Sequence, residues 1–248
     1  VRLTTAELLK NYFFNRENED AFKKGWEEIF EASIEKKAYW EQEIETGRIK
    51  RTLIDLFFDA FLQILVQDKT YGVTTEDKIY YSRTSKLFQS YKDFISRYCE
   101  DKKDNILEKM KPYARIFEST FNPDYCNEAI PSMPSLERIN VLIFGLKNST
   151  LIPYILYVRK NVESSNEEAK IFAVLESYVM RRMLAQATTK NYNRLFTSLV
   201  LNEVLEASTL RNFLSAGTEA TTYLPDDNEV RKAFSEARLY NLQSKGVL

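Results

Sequence analysis

Two aspartates, Asp55 and Asp59, stand four residues apart within the apolar run Leu53–Val66, so a helix sets both carboxylates on one face. That spacing could hold a divalent cation or supply an acid–base pair. Gln63 continues the same stripe, while Leu53, Leu56, Phe57, Phe61 and Leu65 are apolar. The plainer expectation is a solvated polar stripe on an otherwise buried helix. Pro225-Asp226 with Glu229 and Lys232 loosely matches a nuclease signature in which acids and a lysine gather on adjoining strands around Mg²⁺. Here the acids lie at a predicted helix start, where they read as caps. Gly145–Thr150 contains Gly, Lys and Ser/Thr, but not in the order of a phosphate loop. Six scattered glycines leave no dinucleotide fingerprint.

The chain has no histidine, which removes Ser-His-Asp and Cys-His nucleophilic sites, His-ligated zinc and imidazole acid–base chemistry. A Ser or Thr nucleophile with a Lys base stays open, and nothing marks one. Cys99 and Cys126 are too few for a metal site or disulfide framework, and are expected as reduced thiols. No cofactor is expected.

The cations form small groups: Arg48-Ile49-Lys50-Arg51, Arg159-Lys160 and Arg181-Arg182, with Lys190 and Arg194 beyond. The first two groups read as helix C-terminal charge. Arg181 and Arg182 lie within a long helix, where neighbours point about 100° apart. One can face the core while the other faces solvent. A buried arginine wants a carboxylate, and Glu176 and Glu203 are the candidates. Structural pairing and phosphate contact both remain open for the pair. Aromatic residues interleave with cations at Tyr91–Phe94 and Lys190–Arg194, which can stack bases but more often marks core rings beside surface charge.

The elements that must position these residues are helical. Thr4 and Glu7 form a capping box before Leu8, Leu9, Tyr12 and Phe13. Asp20 opens a second helix with Phe22, Trp26, Ile29 and Phe30 at helical spacing, and Tyr39–Ile44 continues to a C-cap at Gly47. Gln67–Asp77 reads as a polar loop, and Pro112 kinks or interrupts a later helix. Ser164 and Glu167 form a second capping box before a long helix through Met183. Asn191–Ala207 is helical, Leu210–Leu214 a short turn of helix, and Asp226–Glu229 caps a last helix through Tyr240, ended by Lys245-Gly246. No hairpin pattern is evident. The expected fold is all-α, an irregular bundle of roughly nine to eleven helices with no significant sheet. Residues 122–135 hold three prolines and read as a linker or loop between helical subdomains 1–121 and 136–248, or within one continuous domain.

The chain has 248 residues and a formal charge of -1. Its 16 Phe, 15 Tyr and 2 Trp argue for a folded core and against disorder. Near-neutrality argues against strong autonomous nucleic-acid binding, though not against a local patch. Leu53–Val66 and Ile139–Val158 are broken by polar residues and fall short of the ~18 apolar residues of a membrane span. No signal-peptide pattern opens the chain, so a cytoplasmic location is expected. Starting at Val1, it reads as a fragment or processed chain.

Three segments together resemble one family. Leu3-Thr4-Thr5-Ala6-Glu7-Leu8-Leu9-Lys10-Asn11-Tyr12-Phe13-Phe14, Glu176-Ser177-Tyr178-Val179-Met180-Arg181-Arg182, and Tyr223–Val230 with Ala233, Phe234 and Tyr240 are similar to stretches of the GmrSD-type, modification-dependent restriction endonucleases and their uncharacterised bacterial relatives. The chain has Leu224 where an aromatic is usual and Val230 where Phe is usual. In that family a ParB-like nucleotide-hydrolysing domain with an Asp-Gly-Gln-Gln-Arg motif precedes the helical part, and a His-Asn-His nuclease follows. Neither motif occurs here. The resemblance implies a non-catalytic helical middle in a phage-defence protein, with adjoining domains of the parent chain and duplex DNA as partners. It carries over no catalytic, metal or cofactor residue. It places Lys10, Asn11 and Tyr12 beside the upstream domain and Arg181 and Arg182 in the central helix. With Lys190 and Arg194, these are the candidate DNA or interdomain contacts. The alternative is a helical protein–protein interaction module with no DNA role.

Overall fold

A computed structural model of the chain describes residues 3–14, 22–46, 49–100 and 102–236. The expected helix start at Asp20, the cap at Gly47, Arg48 and the helix end at Tyr240, Lys245 and Gly246 lie outside the described residues. The fold is all-α apart from one small hairpin. Twelve α-helices and two π-helical segments occur among the described residues, more than the roughly nine to eleven helices read from periodicity. The chain divides into two compact units, Val1–Thr120 and Phe121–Leu248.

In the first unit, α1 (Thr5–Phe13) starts at the anticipated capping box. The Thr4 N–H donates to Glu7 at 2.7 Å and the Glu7 N–H donates to the Thr4 hydroxyl at 3.2 Å. Lys23–Glu31 is π-helical rather than α-helical. Helix α2 (Ile34–Glu41) ends before Glu43, and the expected continuation to Gly47 is a strand instead. β1 (Glu43–Thr46) pairs antiparallel with β2 (Ile49–Thr52), Thr46 opposite Ile49. Ile44 is the one apolar residue of β1 and Ile49 that of β2, too little alternation for a period-two pattern to mark the hairpin.

Thr52 then caps α3 (Leu53–Gln67), accepting from the Asp55 N–H at 3.3 Å. Thirteen of the 15 residues of α3 are buried, Asp55 and Asp59 being the exceptions. α4 (Thr75–Tyr81) begins inside the expected loop, after Gly72 takes φ +63 at the end of a 3-10 turn. α5 (Leu87–Tyr98) and α6 (Lys103–Thr120) complete the unit, and α6 runs through Pro112 without ending there. Helices α1, α2, α4, α5 and α6 all pack on α3, so its polar stripe has little water to face.

The second unit includes residues 122–135. Pro123–Asn127 forms a 3-10 turn held by the buried Asn140, whose Oδ1 accepts from the Asn122 N–H at 2.8 Å. α7 (Leu136–Asn140) passes into a π-helical turn, Val141–Gly145. α8 (Ile152–Asn161) carries Pro153 in its first turn, where no N–H is needed. α9 (Ser165–Leu184) is the longest helix at 20 residues. α10 (Tyr192–Leu201), α11 (Ala207–Ser215) and α12 (Asp227–Ser235) follow. Ser164 caps α9, but only half of the anticipated box forms. The Glu167 carboxylate accepts instead from the Ala207 N–H at 2.7 Å, capping α11. No described helix is long and apolar enough to cross a membrane.

Candidate functional site

Arg181 and Arg182 point apart, as adjacent helical residues must. Arg182 is fully buried. Its guanidinium donates to the carbonyls of Tyr223 at 2.5 Å, Thr188 at 2.7 Å and Ala220 at 3.3 Å, and to the Tyr192 hydroxyl at 3.3 Å. The rings of Tyr178, Tyr192 and Tyr223 lie 5.3–5.6 Å from it, within cation–π range. Burial raises the phenol pKa values of Tyr178 and Tyr192. Neither Glu176 nor Glu203 is its partner. Glu176 takes a bidentate pair with Arg138. Carbonyls replace the expected carboxylate because the 219–225 loop turns its backbone acceptors onto the fork. Such burial leaves Arg182 no surface to offer DNA or another domain, which corrects the sequence-based candidacy.

Arg181 faces a groove. Its guanidinium donates to Asp227 Oδ1 at 2.6 Å, the Pro225 carbonyl at 3.2 Å and Ser177 Oγ at 3.3 Å. Hydrogen bonding from Arg181 holds the Asp227 carboxyl below its ordinary value, and Arg231 adds to the positive field. The groove has a volume of about 760 Å³ and lies between α9, α11 and the start of α12. Val174, Tyr178, Leu214, Leu224 and Pro225 supply its apolar surface, and Lys170, Arg181 and Arg211 its cations. Asp226 also lines it, but is engaged in the capping box of α12, where its Oδ1 accepts from the Glu229 N–H at 2.8 Å. That box is the role anticipated for these acids. Sequence reasoning missed Lys170 and Arg211. Lys170 sits eleven residues before Arg181 on the same face of α9, a period-based signal that was available. Arg211 sits in the segment read as a short turn of helix, which the structure extends to Ala207–Ser215.

Lys190 and Arg194 are exposed. Arg194 lines a second groove of about 450 Å³ with Asn191, Glu219 and Thr222. Tyr192, between them, is a core ring beneath Arg182, so this aromatic–cation run is no stacking platform.

In the first unit, Lys10 is bound inward. Its Nζ lies 2.7 Å from Glu31 Oε1, which also accepts from the Trp26 indole at 2.8 Å, and 4.9 Å from the Phe22 ring centroid. Burial raises the Glu31 pKa, but these two donors outweigh it and leave the group below its ordinary value. The ring of Tyr12 lies 3.9 Å from Lys103 Nζ, and Asn11 is exposed. Lys50 and Arg51 lie on β2, not at a helix end. Lys50 pairs across the hairpin with Glu43 at 3.6 Å, and Arg51 reaches Asp59 at 3.0 Å and the Asp55 carbonyl at 3.1 Å. Arg159 and Lys160 do close a helix, and Arg159 also pairs with Glu168 at 2.8 Å.

The polar stripe of α3 is not solvated, contrary to expectation. The buried Gln63 amide donates to the Tyr81 carbonyl at 2.9 Å. Asp55 Oδ1 is buried without a hydrogen-bond partner, and burial raises the pKa values of both Asp55 and Asp59. Burial also pushes the Cys99 thiol up to about 11, while Cys126 is exposed. Among the described residues no group of three or more Cys, Asp or Glu is placed to hold a metal ion.

No protein-family model, curated protein or solved structure matches the chain.

Proposed function

We propose that the chain is the non-catalytic helical middle of a GmrSD-like DNA restriction protein. It joins an upstream ParB-like nucleotide-hydrolysing domain to a downstream His-Asn-His nuclease and contributes phosphate contacts to duplex DNA. The reading is carried by the three-segment likeness. One observation supports treating those segments as parts of a whole. The second and third meet in space, through Arg182 to the Tyr223 carbonyl and Arg181 to Asp227 and Pro225. Residues from two of the three similar segments thus form one hydrogen-bonded assembly in the second unit. The coding sequence that flanks this chain is the test. An Asp-Gly-Gln-Gln-Arg motif upstream and a His-containing nuclease segment downstream are expected, and finding neither removes the reading.

A second reading, a protein–protein interaction module, draws on exposed apolar side chains. Ile130, Met133 and Phe234 in the second unit are 58%, 72% and 67% exposed. Duplex binding at low salt that weakens as salt is added counts against it.

A further inference from the structure

We infer that the groove between α9, α11 and the start of α12 is a phosphate-binding site, with Asp227 as its internal competitor. The inference deepens the DNA reading above, and rests on it only for what carries the phosphates.

Four cations bear on the groove. Lys170, Arg181 and Arg211 line it, and Arg231 acts on Asp227 from one turn along α12. Three carboxylates oppose them: Asp227, Asp226, which caps its own helix, and Glu167, which pairs with Lys170 outside the lining. Arg211 is exposed and makes no ion pair or hydrogen bond with the described residues. Lys170 reaches only Glu167, at 3.4 Å on the surface. Lys170 and Arg181 are separated by three helical turns, about 16 Å at 1.5 Å per residue. That spread suits an anion with several charges along its length better than a single carboxylate. Ser177 and Ser215 add hydroxyl donors in the same groove.

Asp227 already occupies the Arg181 fork, and its side chain is 67% exposed. Helix α12 buries none of its residues. A carboxylate held at the surface on a weakly seated helix can be exchanged for a phosphate oxygen, since both accept from a guanidinium in the same geometry. The start of α12 would then swing with its aspartate, uncovering Arg181 beside Arg211.

The test uses the full chain and two probes, a fluorescein-labelled DNA duplex and inorganic pyrophosphate. Variants are Asp227→Asn and the pair Lys170→Ala with Arg211→Ala, which removes no buried contact. Thermal unfolding of each variant checks that the fold is kept. Asp227→Asn is expected to bind both probes severalfold more tightly. The double variant is expected to bind both more weakly and to lower the salt slope for the duplex by about two. If the wild type binds the duplex and neither variant changes affinity or slope, the groove site is overturned while the DNA reading stands. If no variant binds the duplex but pyrophosphate binding follows Asp227 and Arg211 as stated, the site stands and the DNA reading fails. Binding of neither probe by any variant overturns the site. So does a poly-glutamate peptide that matches the duplex in affinity at equal salt.

Discussion

The two units solve the same problem with different materials. In the first, rings pack on rings. Trp26 stacks on Phe58 at 5.8 Å, Trp40 on Phe117 at 5.5 Å, and Phe57 on Phe61 at 5.9 Å, all around α3. Polar atoms there serve the rings, as where the Trp40 indole donates to the Ile29 carbonyl at 3.1 Å and the Tyr91 hydroxyl to the Phe58 carbonyl at 2.7 Å. In the second, the core of α8–α11 is mostly aliphatic, and a single buried cation ties down a loop. Arg182 gathers carbonyls of Thr188, Ala220 and Tyr223, while Tyr178 donates to the Thr222 carbonyl at 2.8 Å. The arginine clasp demands one backbone path, because each carbonyl must meet the fork at hydrogen-bonding distance. The candidate groove lies beside the clasp, where the clasped loop leads into α12, a helix with no buried residue.

The comparison breaks most sharply at Trp40 and Arg182. Trp40→Ala should cost the first unit about 3–5 kcal/mol, the usual range for deleting a buried large aromatic. Arg182→Met should cost the second unit above about 3 kcal/mol, because several buried acceptors lose their donors at once. Arg182→Lys should recover little, since an ammonium cannot reproduce the fork. Urea unfolding, with labelling of the buried Cys99 thiol reporting the first unit and circular dichroism reporting the whole chain, separates the losses. Arg182→Met that leaves stability unchanged would show that the clasp is incidental.

Gly217→Ala should be the next largest effect. A Cβ there would sit 2.7 Å from the Thr222 carbonyl oxygen, so the clasped loop must shift, at about 1–3 kcal/mol. A wild-type melting temperature would mean that the loop adapts freely.

Smaller gains are expected at helix ends. Gln186 and Glu203 follow helix C-termini at φ 53 and 52, the left-handed region that favours glycine. Replacing either with Gly should stabilise the second unit by about 0.5–1 kcal/mol in thermal unfolding. A loss there would mean that the side chain contributes more than the backbone strain costs.

The smallest effect tests the polar seam of the first unit by pH. Burial raises the Asp55 pKa, so the folded state binds this proton more tightly than the unfolded chain does. The contribution to stability is complete below the ordinary carboxylate value and is lost as pH rises through the raised one. Asp55→Asn lacks that loss. Its stability relative to wild type should therefore improve between pH 4 and pH 7 in urea titrations. A constant difference across that range would show that Asp55 titrates normally.

Helix-forming physics was legible in particular residues. The caps at Thr4, Ser164 and Asp226 mark starts of α1, α9 and α12, because a cap is decided by groups within one turn. The hairpin at Glu43–Thr52 was missed because each strand is four residues long with one apolar residue, too short for alternation to show between strong helical runs. The stripe on α3 was misread for a different reason. Periodicity shows that Asp55, Asp59 and Gln63 share a face, but not that other helices cover that face.

The candidate site divides the same way. Helical spacing alone requires Arg181 and Arg182 to face different surroundings. Which of them turns inward depends on where residues 219–225 return, some 40 positions later, with their carbonyls. No local pattern encodes that meeting. The absence of histidine, the all-α character and the caps belong to the sequence, since each follows from composition or from neighbours along the chain. The buried clasp, the Asp227–Arg181 pair and the groove beside them belong to the tertiary structure, because each needs two distant segments held at hydrogen-bonding distance.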